Sequence, residues 1–143
     1  MSERAMRGIS RAFCDALASQ DPGRLAPHLD DDVEWMVFGP IDLFPFFGQR
    51  RGKMAVLDMC REVSAVLHLV QCDRETALVS GESAAALVRL TAVDRRTGRT
   101  LSLRLAQFAT FRDDRLVSLK AIFDSFDAVE QTLGHQIDLS AVA

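Results

Sequence analysis

The stretch Leu101-Ser102-Leu103-Arg104-Leu105-Ala106-Gln107-Phe108-Ala109-Thr110-Phe111-Arg112 sorts its side chains by strict alternation. Successive side chains of a strand point to opposite faces, so Leu101, Leu103, Leu105, Gln107, Ala109 and Phe111 share one face. Ser102, Arg104, Ala106, Phe108, Thr110 and Arg112 share the other. The first face is apolar except for Gln107, and the second mixes charge with Phe108. That division describes an antiparallel strand with its apolar face on a core and its mixed face on solvent or on another subunit.

Similar segments flank this one. They are separated by Ser80-Gly81, by Arg95-Arg96-Thr97-Gly98 and by Asp113-Asp114, residue types that accept turn geometry. Four strands in meander order are predicted near 69–79, 82–94, 99–112 and 115–123. A short closing helix is predicted over 125–133, with Asp124 at its N-cap and Asp127 at the third helical position.

Upstream the period changes. Met6, Ile9, Phe13, Ala16 and Leu17 recur at helical spacing over 3–19, opposite Arg4, Arg7, Arg11 and Asp15. Asp21-Pro22 opens a short second helix that ends near His28. Val33 to Phe38 reads as a strand stopped by Gly39-Pro40. Met54, Leu57, Cys60, Val63, Val66 and Leu67 mark a third helix from Lys53 to Leu67. Helices followed by an antiparallel meander make the α+β class, with helices on one face of a curved sheet.

The 143 residues, 48% apolar and 26% charged, are expected to form a single domain over 1–143. A chain of that size buries about 70% of its unfolded surface, so packing alone can hold it together. A net charge of −3 gives no basic footprint for nucleic acid. No segment has the apolar length that a membrane span requires. The three cysteines, Cys14, Cys60 and Cys72, form no C-x-x-C pair and read as reduced thiols that fill space as small hydrophobes, with a catalytic thiol as the alternative. The early charges at Glu3, Arg4 and Arg7 do not resemble an export signal, and the expected compartment is the cytoplasm. His28, His68 and His135 share no metal-ligand spacing, so no metal site is expected. Arg50-Arg51 and Lys53 read as a solvated basic cluster at a helix start.

The order of elements, together with several motifs, resembles the nuclear transport factor 2-like superfamily, and within it the SnoaL-like polyketide cyclase and ketosteroid isomerase-related domains. The motifs are Leu17-Ala18-Ser19-Gln20-Asp21, Leu29 to Trp35, Gly48-Gln49-Arg50-Arg51-Gly52, Val79-Ser80-Gly81-Glu82, and Phe111 to Leu116 leading into Phe123-Asp124. The resemblance implies a cystatin-like cone in which a curved antiparallel sheet wraps the long N-terminal helix, a hydrophobic pocket at the open end, and a homodimer. It does not carry over the ketosteroid isomerase mechanism. Val37 stands where that enzyme has its general-base aspartate, Gln107 where it has a protonated oxyanion-hole acid, and the chain has no Tyr.

Within SnoaL-like cyclases and limonene epoxide hydrolases the resemblance points to Asp124 as the pocket carboxylate, a general acid or base, although no Arg-x-Asp pair accompanies it. Gln107, a lone polar group on an apolar face, is the expected hydrogen-bond donor. Trp35, Phe38, Phe44, Phe47 and Phe111 are the expected substrate-binding residues. The phenylalanine-rich loop around Phe44, Phe46 and Phe47 reads either as an apolar lid over the cone mouth or as an oligomer contact. Two functions stay open. One is a cofactor-independent isomerase or cyclase acting on a small hydrophobic substrate; the other is a non-catalytic ligand-binding or dimeric assembly module.

Overall fold

The structure, a computed structural model, describes residues 2–140. Helix α1 (Ser2–Ser19) is followed by strand β1 (Leu29–Phe38), strand β2 (Gly48–Arg51) and helix α2 (Lys53–Val66). Strands β3 (Leu67–Ser80), β4 (Ser83–Asp94), β5 (Thr100–Arg112) and β6 (Arg115–Phe123) come next, and helix α3 (Ser125–Leu133) closes the domain. One six-stranded sheet has the order β2-β1-β6-β5-β4-β3. The fold is α+β, a cone built on a mostly antiparallel sheet, as the sequence leads one to expect.

The predicted meander is present, with β3, β4, β5 and β6 pairing antiparallel in turn. Asp113 and Asp114 both adopt positive φ, 53° and 60°, in the two-residue turn between β5 and β6. That geometry fits the twist of adjoining strands and is one that Asp tolerates.

Three features depart from the sequence reading. β1 begins four residues early, at Leu29, and its neighbour β6 runs parallel to it, so the sheet is mixed. β2, which pairs antiparallel with β1, carries no alternating signal in its four residues. The short second helix is instead a pair of 3-10 turns, Pro22–Arg24 and Ala26–His28. Pro27 has no N–H to donate to Gly23, so an α-helix cannot run through this segment.

Helix α1 lies across β3 and β4 on the concave face, and α2 packs beside it against β1 and β3. Met6, Ala16 and Leu17 from α1 meet Val33, Trp35 and Val37 of β1 and Leu101, Leu103 and Leu105 of β5 in one core. Bulges at Val70 and Glu75 in β3 and at Val117 in β6 break the regular register. Helix α3 packs beside the start of β5, past the end of β6, and its Ala128 joins the core. There the Gln131 side chain replaces a missing strand neighbour: its Oε1 accepts from Ser102 N at 2.7 Å and its Nε2 donates to Ser102 O at 2.8 Å. Among the described residues, Phe38, Leu78, Phe108 and Ile122 of the convex face are exposed.

Candidate binding pocket

A cavity of about 640 Å³ lies between α1 and the concave face of the sheet. A further space of about 70 Å³ continues inward toward α2 and the phenylalanine loop. Phe13, Trp35, Leu90, Gln107 and Leu119 line both. Phe13 and Trp35 pack with ring centroids 5.9 Å apart and so form a tilted aromatic wall. The alternation of β5 explains why Gln107 faces inward. It follows Leu101, Leu103 and Leu105 on the buried face, between Ala86 on β4 and Ala121 on β6, two small neighbours that leave room above the amide.

The polar groups of the cavity are donors and thiols. The indole Nε1 of Trp35 is buried and, among the described residues, has no hydrogen-bonding partner. No partner for the Gln107 amide is found among them either. Arg7, Arg11 and Arg74 line the mouth, and of these Arg7 is tied to Glu3 at 2.7 Å. No Asp or Glu lines either space.

Cys14 of α1 and Cys72 of β3 share the cavity wall, both as half-buried free thiols. Their side chains hydrogen-bond to one another, which, with burial, holds the Cys14 thiol well above its ordinary range. The same bond, helped by the Arg74 charge, lowers the Cys72 thiol despite burial. Cys60 lies in the core away from both spaces, and burial pushes it up to about 12.

Asp124 does not enter the cavity. It is exposed at the start of α3, where its Oδ1 accepts from Asp127 N at 3.2 Å as an N-cap. Gln107, Trp35 and Phe111 line the large cavity, and Phe47 lines the small space. Phe38 and Phe44 line neither, for opposite reasons. Phe38 points to the convex face and is 47% exposed, because it falls on the opposite side of β1 from Trp35 and Val37. Phe44 is fully buried in core.

The phenylalanine loop is therefore part of the core at one end of the cone. The rings of Phe44, Phe46 and Phe47 pack against one another at 5.1 to 5.7 Å, and Phe47 stacks on Phe123 at 4.8 Å. Gly39 suits that approach, since a Cβ would collide with the edge of the Phe47 ring. A charged clamp fastens the loop from outside. Arg96 holds the fully buried Asp94 with Nε at 3.0 Å and an Nη at 3.1 Å, donates to Leu43 O at 2.7 Å, and sits 5.2 Å above the Phe44 ring. Burial alone would raise the Asp94 carboxyl, but the Arg96 hydrogen bonds and the charges of Arg96 and Arg99 hold it below the ordinary carboxylate range. With that end closed, the large cavity opens on the other side, at the arginines of α1 and β3.

The sequence reading, which left a catalytic thiol open only as an alternative, did not place Cys14, Cys72, Arg11 and Arg74 at the pocket. A weak signal was present: Arg7, Ser10, Arg11 and Cys14 sit at helical spacing beside the apolar stripe, and Cys72 and Arg74 alternate on β3. His68 and His135 are exposed, and no cluster of metal-ligating side chains occurs among the described residues. Arg50 pairs with Glu62, and Lys53 with Asp31 at 3.2 Å. No helix among the described residues is long and apolar enough to cross a membrane.

Comparison with known proteins agrees with this architecture. Among solved structures, the chain is 40% identical to a candidate isomerase from Rhodopseudomonas palustris, with a TM-score of 0.89 over 94% of this chain and 100% of that one. An epoxide hydrolase from M. tuberculosis, similar to limonene epoxide hydrolase, shares the fold at 16% identity and a TM-score of 0.73, over 99% of this chain and 98% of that one. A protein with a ketosteroid isomerase-like fold from Catenulispora acidiphila, in complex with trimethylamine, superposes at 12% identity and a TM-score of 0.73, over 89% and 92% of the two chains. No curated protein matches. The SnoaL-like domain family matches residues 10–119, and with the cone and its cavity this places the chain in that family, on the nuclear transport factor 2-like fold.

Proposed function

We propose that the protein binds a small, largely apolar molecule bearing an acceptor oxygen or an anionic group, with its apolar body against Phe13, Phe111, Leu116 and Leu119. The observation that carries this reading is that two residues with unpartnered donors, Trp35 through its buried N–H and Gln107 through its amide, line the same cavity among mostly apolar side chains. A buried donor without a partner costs about 1–3 kcal/mol, and a ligand oxygen would recover that loss. Such donors can polarise a carbonyl and stabilise charge that develops on its oxygen, as isomerase and cyclase chemistry requires. In this reading Gln107 and Trp35 hold the ligand oxygen, the mouth arginines attract the anion, and Asp124 serves as the cap of α3.

Anilinonaphthalene sulfonate, an aromatic anion, is a suitable probe, and Trp35 is the sole tryptophan to report on it. Saturable binding with quenching of Trp35 emission is expected. Gln107→Leu should weaken binding about tenfold, the loss of one hydrogen bond to a charged group. Unchanged affinity in both Gln107→Leu and Trp35→Phe, read from the probe's own emission, would overturn the assignment.

A second reading concerns assembly. On the convex face Leu78, Phe108, Ile122 and Phe38 are 69%, 52%, 49% and 47% exposed. The strand register brings them together: Phe38 lies beside Ile122, and Phe108 lies one strand from Leu78 across Ala85. Exposed apolar pairs of this kind on one side of a sheet, with Lys120 beside Phe108, favour cover by a second copy of the chain, as a homodimer.

A further inference from the structure

The thiols of Cys14 and Cys72 have no part in the binding site proposed above, although they stand on its wall. Cys14 comes from the fourth turn of α1 and Cys72 from the middle of β3, elements that pack directly on one another. Both are half-buried, both line the cavity that opens to solvent, and the two thiols stand close enough to shift one another's ionisation. Arg74 shares the inward face of β3 with Cys72, since Cys72 is paired with Leu90 and Arg74 with Val88. Arg11 stands one turn before Cys14 at the same mouth. A thiol on a wall shared with guanidinium groups, reachable through an open cavity and facing the same space as a second thiol, has the surroundings of a redox-active cysteine. Cys60 provides the internal contrast: it is 1% exposed, lines neither cavity and has no thiol neighbour.

We propose that Cys14 and Cys72 form a peroxide-sensitive dithiol that closes to an intramolecular disulfide and ties α1 to β3 across the mouth of the cavity. The oxidant is a hydroperoxide, small enough to enter. The Cys72 sulfur, as thiolate, attacks the outer peroxide oxygen, the O–O bond breaks, and the leaving oxygen departs as water or an alcohol after taking up a proton. Cys72 is then a sulfenic acid. The Cys14 sulfur attacks it, the S–O bond breaks, and the hydroxyl leaves as water with the Cys14 proton. The two thiols lose two electrons and two protons in all, and the peroxide is reduced by the same two electrons. A thiol reductant reverses the change.

The test uses the intact wild-type chain and needs no ligand. Reduced protein is treated with a molar excess of hydrogen peroxide, unfolded in an alkylating reagent and weighed by mass spectrometry. The reduced protein should take up three alkyl groups, one for each cysteine. The oxidised protein should take up one, at Cys60, with a Cys14–Cys72 cross-linked peptide in the digest and full recovery of alkylation after dithiothreitol. Cys60→Ser should still form the cross-link, and Cys14→Ser should leave a trappable sulfenic acid on Cys72. Retention of all three thiols under peroxide, or loss through Cys60 or between chains, would overturn the proposal.

Discussion

The clamp at the closed end of the cone yields a prediction whose size and sign both follow from the structure. In Arg96→Met the two hydrogen bonds to Asp94, at 3.0 and 3.1 Å, and the one to Leu43 O, at 2.7 Å, are lost, while the apolar stem over Phe44 is largely kept. Asp94 is fully buried, so its carboxylate is left with the backbone N–H of residue 96 and the more distant charge of Arg99. Breaking a buried pair from one side costs about 3–5 kcal/mol; because the Arg96 side chain is 40% exposed, the low end applies, about 3 kcal/mol. For a domain of this length that is a fall in Tm of about 10 °C.

The pH dependence gives a sharper test. In the wild type the depressed Asp94 carboxyl contributes stability that is present above its unfolded pKa and is lost as the pH falls through the folded value. Without Arg96 the folded carboxyl rises, and once it is protonated it needs no counter-charge. The gap between wild type and variant, measured by urea unfolding, should therefore be widest near neutral pH and shrink as the medium becomes acidic. Asp94→Asn/Arg96→Met should recover part of the loss at neutral pH, because no buried charge remains. A gap under about 1 kcal/mol, or one that does not vary with pH, would refute the claim that a desolvated charge pair fastens the loop.

Two further outcomes are expected. Asp124→Ala should destabilise the chain by about 1 kcal/mol through the lost cap while Asp124→Asn retains most of the stability, and neither should change anilinonaphthalene sulfonate affinity; a large loss of binding in Asp124→Asn would return the carboxylate to the pocket. Phe108→Asp, on the convex face, should convert a dimer to a monomer in light scattering while leaving the fold intact by circular dichroism; an unchanged mass would show that this face is not the dimer contact.

Much of the fold was legible because alternation and turn chemistry are local. The inward face of β5, the Asp113-Asp114 hairpin and the Asp124 cap are each set by residues within a few positions of one another. The parallel pairing of β1 with β6 was not, since their partners lie more than eighty positions apart and no short-range signal encodes a parallel neighbour. β2 owes its strand conformation to β1 alongside it more than to its own Gly48-Gln49-Arg50-Arg51. For the pocket, Gln107 was visible as the one polar interruption of an apolar strand face. The thiols were not, because Cys14 and Cys72 meet only where the helix crosses the sheet.

The location of the cavity mouth separates the two carboxylates that could have mattered. Asp94 is buried yet neutralised by Arg96, and it sits with the phenylalanine loop at the sealed end. Asp124 is exposed and occupied by the α3 backbone, outside both cavities. At the open end the charged groups lining the cavity are all cationic, and the interior offers only an indole N–H, an amide, a hydroxyl and two thiols. An apolar space with donors and arginines favours acceptor-rich or anionic molecules and disfavours cationic ones, since a cation would meet like charge at the mouth and find no carboxylate inside. The lowered thiol of Cys72 has a different origin: its partner Cys14 accounts for most of it and Arg74 adds a smaller part, against burial and the charge of Asp73.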